Sequence, residues 1–439
     1  MKKVVKFGGS SLADAGQFEK VGNIIRADAD RVYVVPSAPG KRFSGDTKVT
    51  DLLYRCYHLA KDHQDYSEPF QEIQSRYEEI IKGLGLDYSL EEEFKKIDEQ
   101  LQNHPDPDYT ASRGEYLNGH IMAEYLGYPF VDAAEIIFFD ENGMLDEERT
   151  MQETGERLLN LEKAVVPGFY GQGADGRVKT FSRGGSDITG SIVAGACHVS
   201  VYENWTDVSG FLVADPRVVK NPAAIRTITY KELRELSYMG AGVMHEDAIF
   251  PVRKEGIPIN IKNTNAPEDE GTWIVESTCQ KSGYTITGIA GKKDFCAVLI
   301  SKDMMNSEVG FCRKVLQAFE ENGISIEHMP SGIDTMTVVV HESEFVSKEQ
   351  QVVSAIHRMA HPDSIEISSD LALIAVVGRG MQDTRGTSGR IFSALAHARV
   401  NVRMIDQGSS ELNIIIAVKN EDYQKAICAI YSIFVDTQL

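Results

Sequence analysis

Short apolar runs alternate with amphipathic stretches along the first 280 residues. Residues 2–7 and 31–35 are β-branched and aromatic apart from their lysines and an arginine, and each run predicts a buried strand. Between them Phe18, Val21, Ile24 and Ile25 recur at helical spacing. The alternation returns at residues 164–169 and 178–181, read as strands, at 188–196, read as a helix, and at 199–202, again a strand. A helix resumes near Thr50. Another runs from Ser112 through Leu117, Ile121, Ala123 and Leu126, followed by a strand over 128–131 and a segment at 135–139. Such alternation predicts a mainly parallel sheet covered by helices, with ligands at the carboxyl ends of the strands. Residues from about 54 to 107 read as polar connecting helices with solvated faces and no chemistry.

Past about Tyr284 the pattern changes and repeats itself at a period of 76. Residues 310–326 match 386–402, with Val315 against Ile391, Leu316 against Phe392 and Ile324 against Val400. Strands are predicted before each helix, at 296–300 and 371–377, and after it, at 335–340 and 412–418. Tandem units of this size suggest ferredoxin-like modules. The repeat is equally compatible with two structural domains that bind nothing.

A chain of 439 residues has material for two or three domains with real cores. Hydrophobic residues at 42% and charged residues at 25% fit a soluble globular protein. No apolar run approaches the ~20 residues of a membrane span, and no signal peptide is read behind Lys2 and Lys3. Six scattered cysteines without a CxxC pair argue for reduced thiols and against a zinc site. The net charge of −20 makes nucleic acid a poor partner. A phosphorylated ligand would need a local cationic cluster to overcome that field.

Two stretches offer residues for one, and a third is uninformative by itself. Lys6-Phe7-Gly8-Gly9-Ser10 runs from a strand into a glycine turn and a helix start, which suits a phosphate cradle or an ordinary β–α turn. It is not a Walker A loop. Arg183-Gly184-Gly185-Ser186-Asp187 repeats the arrangement. Arg183 supplies a planar fork for a carboxylate or phosphate, and Asp187 either caps the helix or faces the site. Thr206, Asp207, Asp215 and Arg217 follow the next strand. Thr50 reads as a helix N-cap, and Glu115 as a first-turn carboxylate favoured by the helix dipole.

Together with Ser112-Arg113-Gly114-Glu115 and the doubled C-terminal module, these motifs resemble the aspartate kinases of the amino-acid kinase superfamily, in the form without a fused dehydrogenase. The resemblance covers nearly the whole chain. It implies an α/β fold: a mainly parallel amino-acid-kinase sheet sandwiched by helices, then two ferredoxin-like ACT modules. The implied domains are 1–283 (catalytic), 284–363 and 364–439 (ACT). It implies transfer of the γ-phosphoryl group of ATP, with Mg²⁺, to the β-carboxylate of L-aspartate, the entry to lysine, threonine and methionine. A carboxylate nucleophile is already ionised, its ordinary pKa being ~3.9, so the demand is positioning and charge stabilisation rather than a base. A sibling kinase acting on glutamate and a non-catalytic amino-acid sensor are the competing readings.

Carried over by the resemblance, Lys6 bridges the transferring phosphoryl group and Asp187 positions it. Ser37, Ala38, Thr50, Glu115, Arg183, Gly184, Gly185 and Ser186 hold aspartate, Arg183 on its α-carboxylate and Glu115 on its ammonium. Lys6, Gly8, Gly9, Ser10, Thr206, Asp207, Leu212, Asp215 and Arg217 hold the nucleotide, with the amides of Gly8, Gly9, Gly184 and Gly185 supplying donors. Gly242 stands where many members place a nucleotide-contacting lysine, a gap that Arg217 or Lys220 would fill. The loop at 41–48 is longer than in many relatives. Met305, Ser307, Phe311, Ser325, Ile326 and Glu327 lie where related enzymes bind lysine, so an inhibitory amino acid is expected, lysine ahead of threonine. The ACT-like pair implies a homodimer or tetramer, and no protein-held metal, nucleic acid or membrane is implied for this cytoplasmic enzyme.

Overall fold

The computed structural model describes residues 1–182, 184–241, 244, 246–278, 284–382 and 384–437, with the backbone alone at 246 and 247. The chain divides into two compact units. The first comprises Met1–Phe211, Arg226–Tyr230 and Val243–Thr278. The second comprises Leu212–Ile225, Lys231–Gly242 and Cys279–Leu439. Among the described residues no helix is long and apolar enough to cross a membrane.

The first unit contains β1 (Lys3–Phe7), β2 (Arg31–Pro36), β3 (Ala164–Val165), β4 (Tyr170–Gln172), β5 (Val178–Thr180), β6 (Val201–Thr206), β7 (Thr227–Thr229), β8 (Ile259–Asn263) and β9 (Thr272–Val275). Seven of these form one sheet in the order β3-β2-β1-β6-β8-β9-β7. The strands from β3 to β8 are parallel, β9 runs against β8, and β7 is parallel to β9. Strand β1 is central, with Val4, Val5 and Phe7 fully buried, as expected of a strand covered on both faces. It places Lys6 beside Val35 of β2 and Asn204 of β6. The carboxyl ends of β1, β2 and β6 therefore lie side by side, and Gly8, Ser37 and Asp207 leave them.

The helices depart from the sequence reading at their starts. No long helix opens at Gly9: Gly9–Leu12 is a single 3-10 turn, and the first α-helix is Ala15–Arg26, because Asp14 caps it by accepting from the Gln17 amide at 2.9 Å. The helix expected from Ser112 begins earlier, at Pro107–Leu126. Asp106 caps it, Pro107 suits its first position, and Gly127 ends it at a φ of 67°. Glu115 is thus in the third turn and does not cap. Thr50 is not an N-cap either, since Lys48 takes that place before helix Val49–Lys61. The strand expected at 128–131 is reduced to one bridge from Phe130 to Val165, and β5 pairs only with β4, outside the main sheet.

The stretch read as solvated connecting helices also differs. Helices Ser67–Gly83 and Glu91–Asn103 turn Phe70, Ile73, Tyr77, Ile80, Phe94 and Ile97 into a shared core with Phe18, Leu53, Leu117 and Trp205. Their polar residues form only the outer face, the pattern of an amphipathic helix.

The second unit holds β10 (Gly288–Ser301), β11 (Thr335–His341), β12 (Ser364–Val377), β13 (Met404–Asp406) and β14 (Asn413–Lys419) in one antiparallel sheet, ordered β11-β10-β12-β14-β13. The 76-residue period is realised in the backbone. Strand β12 is β10 displaced by 76 positions. Gly310 and Gly386 precede helices Phe311–Glu321 and Thr387–His397 at φ 84° and 85°. Asp294 and Asp370 share positive φ at 68° and 63°. The helix exits Gly323 and Arg399 do so at 61° and 54°. Phe295 pairs directly with Leu371 across the central strands, so the two repeats share a single sheet.

Candidate active site

Lys6 is the only charged side chain projecting from the buried part of β1, and it is 8% exposed. A buried ammonium requires compensation. Its Nζ lies 2.6 Å from Asp187 Oδ1 and 3.4 Å from Asn204 Oδ1. Asn204 closes the triangle by donating through Nδ2 to Asp187 Oδ1 at 2.9 Å. Asp187 sits in the first turn of helix Gly185–Ala196, and its backbone carbonyl accepts from the Tyr202 hydroxyl at 3.1 Å. It faces Lys6, which decides between the two readings of this residue.

The glycine turns are explained by close backbone approach. A Cβ on Gly9 would lie 2.8 Å from the Ala38 carbonyl, and one on Gly40 would lie 2.6 Å from the Gly9 carbonyl carbon. The Gly40 amide donates to the Gly9 carbonyl at 2.8 Å, joining the loops after β1 and β2. The expected Gly8 amide donor is already committed: it donates to the Trp205 carbonyl at 3.0 Å, continuing the ladder to β6. Ser10 lies within the 3-10 turn. Gly184 takes a left-handed φ of 59°, and a Cβ on Gly185 would come 2.8 Å from the Phe169 Cα. Ser186, buried, closes against Gly168. Arg183 and Gly242 lie outside the described residues.

Glu115 belongs to the same end of the sheet. It is 6% exposed, accepts from the Ala38 amide, and has no hydrogen-bond partner at Oε2 among the described residues. Burial pushes its carboxyl up to about 8, against the opposing pull of the Ala38 amide, Lys6 and Arg113. Ser37 donates its amide to the Phe7 carbonyl at 3.1 Å and accepts from Asn118 Nδ2 at 2.6 Å. Ala38 is buried against Gly114, and Thr50 occupies the second position of its helix. An orphaned buried carboxylate oxygen is the acceptor that an ammonium ligand would complete.

Several positioning groups were given no role in the sequence reading. Asn204 is one. Arg76, 3% exposed, is another: it pairs with Asp46 at 2.9 Å and donates to the carbonyls of Ala13 and Gly40. Arg42 also holds Asp46, so the 41–48 loop is tied beneath Gly40. Tyr77 donates to the Gly114 carbonyl at 2.7 Å. The guanidinium of Arg113 lies 4.5, 4.2 and 5.3 Å from the rings of Tyr109, Tyr116 and Tyr170. Spacing along the chain carried no signal for these, apart from the Asp106-Pro107 helix start.

The nucleotide candidates fall into two groups. Thr206 ends β6, and its hydroxyl donates to Asp207 at 3.1 Å in the first unit. Leu212, Asp215 and Arg217 belong to the second unit. Arg217 engages both Asp215 oxygens and holds that carboxyl below its usual range. Lys220 is exposed. Of the effector candidates, the Met305 and Phe311 side chains pack in the second unit's core, and Ser307 is exposed. Ser325 donates its amide to Glu344 at 3.1 Å, while half-buried Ile326 and Glu327 lie beside β11, where the Glu327 amide donates to the Val339 carbonyl.

Comparison with known proteins identifies the family. The Amino acid kinase family matches residues 1–263, and an ACT domain matches residues 374–434. Aspartokinase 3 of Bacillus subtilis is 40% identical over 98% of both chains. The aspartate kinase of Clostridium acetobutylicum, a solved structure, is 52% identical with a TM-score of 0.90, covering 99% of this chain and 100% of that one. Escherichia coli aspartokinase III, solved with aspartate and ADP, shares the fold at 24% identity, with a TM-score of 0.76 over 99% of each chain. The chain therefore belongs to the amino acid kinase family, among its aspartokinases, and is an ATP-dependent kinase.

Proposed function

We propose that this aspartokinase transfers the γ-phosphoryl group of ATP to the β-carboxylate of L-aspartate, giving 4-phospho-L-aspartate at the head of lysine, threonine and methionine synthesis in the cytoplasm. The supporting observation is the buried Lys6–Asp187 pair together with the buried Glu115 carboxylate, whose Oε2 has no hydrogen-bond partner among the described residues. An amino acid bound through its ammonium to Glu115 presents its side-chain carboxylate toward the cation. That carboxylate needs no deprotonation, so the chain's task is to hold two anions together and stabilise the charge that moves between them. Lys6 stabilises the transferring group and Asp187 positions Lys6. Arg183 clamps the α-carboxylate, and Ser37, Ala38, Thr50 and residues 184–186 line the acceptor side. Gly8, Gly9, Ser10, Thr206, Asp207, Leu212, Asp215 and Arg217 serve the nucleotide.

Among the described residues no three His, Cys, Asp or Glu side chains converge to hold a metal. Mg²⁺ enters as the counter-ion on the nucleotide's own phosphates. Feedback acts through the repeated module. Glu327 suits an ammonium-bearing effector, lysine ahead of threonine, and the module is the surface for homo-oligomers. A coupled ADP-release assay comparing aspartate with glutamate by kcat/KM tests the reading. Turnover of aspartate with a clear preference over glutamate supports it, and absence of turnover with Mg·ATP and aspartate removes it.

A further inference from the structure

Asn204 stands in an unusual place for a primary amide. It lies in a parallel strand of the central sheet, is 3% exposed, and pairs in register with Lys6. Its neighbours Glu203 and Trp205 face the other side of the sheet, where Glu203 accepts from Lys3, Arg31 and the Trp205 indole. Tyr202 and Asn204, two residues apart, share the face toward Asp187. Tyr202 fixes the Asp187 backbone through its carbonyl, and Asn204 fixes the carboxylate. Burying an amide is unfavourable unless its hydrogen bonds are met. Here both ends of the amide are met by the two charged groups of the site, Nδ2 on Asp187 and Oδ1 on Lys6.

We propose that Asn204 is a positioning residue for phosphoryl transfer, setting how tightly Asp187 holds Lys6. The Asn204 N–H takes up part of the charge on Asp187 Oδ1, the same oxygen that Lys6 contacts at 2.6 Å. That weakens the hold of Asp187 on the ammonium. The Asn204 carbonyl keeps Nζ aligned as the ammonium shifts toward a developing phosphoryl charge. Without the amide, the whole charge of Asp187 would bear on Lys6 in a low-dielectric site and hold the ammonium back from the phosphoryl group. The inference rests on the role given to Lys6 above.

The test uses Asn204→Leu, close in shape but without hydrogen bonds, and Asn204→Asp, beside Lys6→Ala. For Asn204→Leu, kcat falls about 10- to 100-fold while both KM values stay within about threefold, the signature of misplaced chemistry rather than lost binding. For Asn204→Asp, the new carboxyl faces Asp187 at a distance where both cannot ionise, so one keeps a proton toward neutral pH. Its kcat relative to wild type rises as pH is lowered from 8 to 6, because the protonated carboxyl again donates to Asp187. A merely structural asparagine would lower the melting temperature of either variant without that pH-dependent recovery. If Asn204→Leu does not fold, the pH profile of Asn204→Asp decides. An Asn204→Leu kcat within threefold of wild type, or a flat relative profile for Asn204→Asp, overturns the proposal when Lys6→Ala is inactive. A Lys6→Ala enzyme near wild type overturns the underlying reading as well.

Discussion

Lys6 Nζ and Asp187 Oδ1 lie 2.6 Å apart although they come from a strand and a helix 181 positions apart in the chain. The pair neutralises a cation that the buried centre of the sheet would otherwise tolerate poorly. It also holds that cation at the carboxyl ends of β1 and β6. If Lys6 acts on the charge that develops during transfer, Lys6→Ala lowers kcat by about 10²- to 10³-fold. Aspartate KM stays within about threefold, since the substrate ammonium is assigned to Glu115. Steady-state kinetics with both substrates varied checks this, and a near-wild-type kcat removes Lys6 from the chemistry.

If Glu115 takes the substrate ammonium, it links substrate binding to pH. Burial raises its folded-state pKa from an ordinary carboxylate value to about 8. The unliganded protein therefore holds one more proton than the unfolded chain between about pH 4.5 and 8. The Glu115 contribution to stability is fully present below that window and is lost as pH rises through it. Glu115→Gln flattens this part of the profile, which urea melts at pH 5 and pH 8 will show. An ammonium on the carboxylate favours its ionised form, so aspartate binding releases a proton near pH 7. Calorimetry in buffers of different ionisation enthalpy measures that release, and Glu115→Gln abolishes it. A proton release of zero in the wild-type enzyme at pH 7 contradicts the assignment.

What was readable in the sequence followed local physics. Strand β1, the glycine turns and the helix carrying Asp187 are each specified by residues next to one another. The internal repeat was legible because backbone demands recur with it: Gly310 and Gly386 both need left-handed φ at a helix start. What failed was set by distance. Asn204 meets Lys6 only through the register of β1 with β6, which no short window contains. Arg76 resembles any charge on a polar helix until Asp46 and Gly40 fold over it. The start at Pro107 was legible in Asp106-Pro107, but the apolar spacing from Ser112 drew the boundary later.

Glu327 offers a carboxylate beside β11, half-buried and held by its own amide on Val339. Removing it takes away the charge that would meet an effector ammonium. For Glu327→Ala, the lysine concentration giving half inhibition rises by about tenfold or more, the cost of a lost charge-assisted hydrogen bond. Inhibition by threonine, if present, changes in parallel only if the two share the site. Titrations of activity against lysine, threonine and methionine, singly and paired, check this. A lysine midpoint unchanged from wild type places the effector elsewhere.

Arg76 and Asp46 form a pair whose side chains are nearly inaccessible to solvent. Arg42 does most to hold the Asp46 carboxyl well below the usual range, with Arg76 adding to the attraction. A lowered folded-state pKa contributes stability above the unfolded carboxylate value of ~3.9, lost as pH falls below it. Arg76→Met removes one partner and leaves Asp46, the Ala13 carbonyl and the Gly40 carbonyl short of a buried donor. The expected loss is about 3 kcal/mol at pH 7. It shrinks only at pH low enough to protonate Asp46 in the variant, where the carboxyl has lost one of its two cations and takes up a proton before it does in the wild-type fold. Urea unfolding of both proteins from pH 7 toward pH 2 measures the difference. Because Arg76 also secures Gly40, which packs on Gly9, kcat should fall together with stability. A variant with wild-type stability and impaired turnover would instead mean that Arg76 acts on the 41–48 loop rather than on the fold.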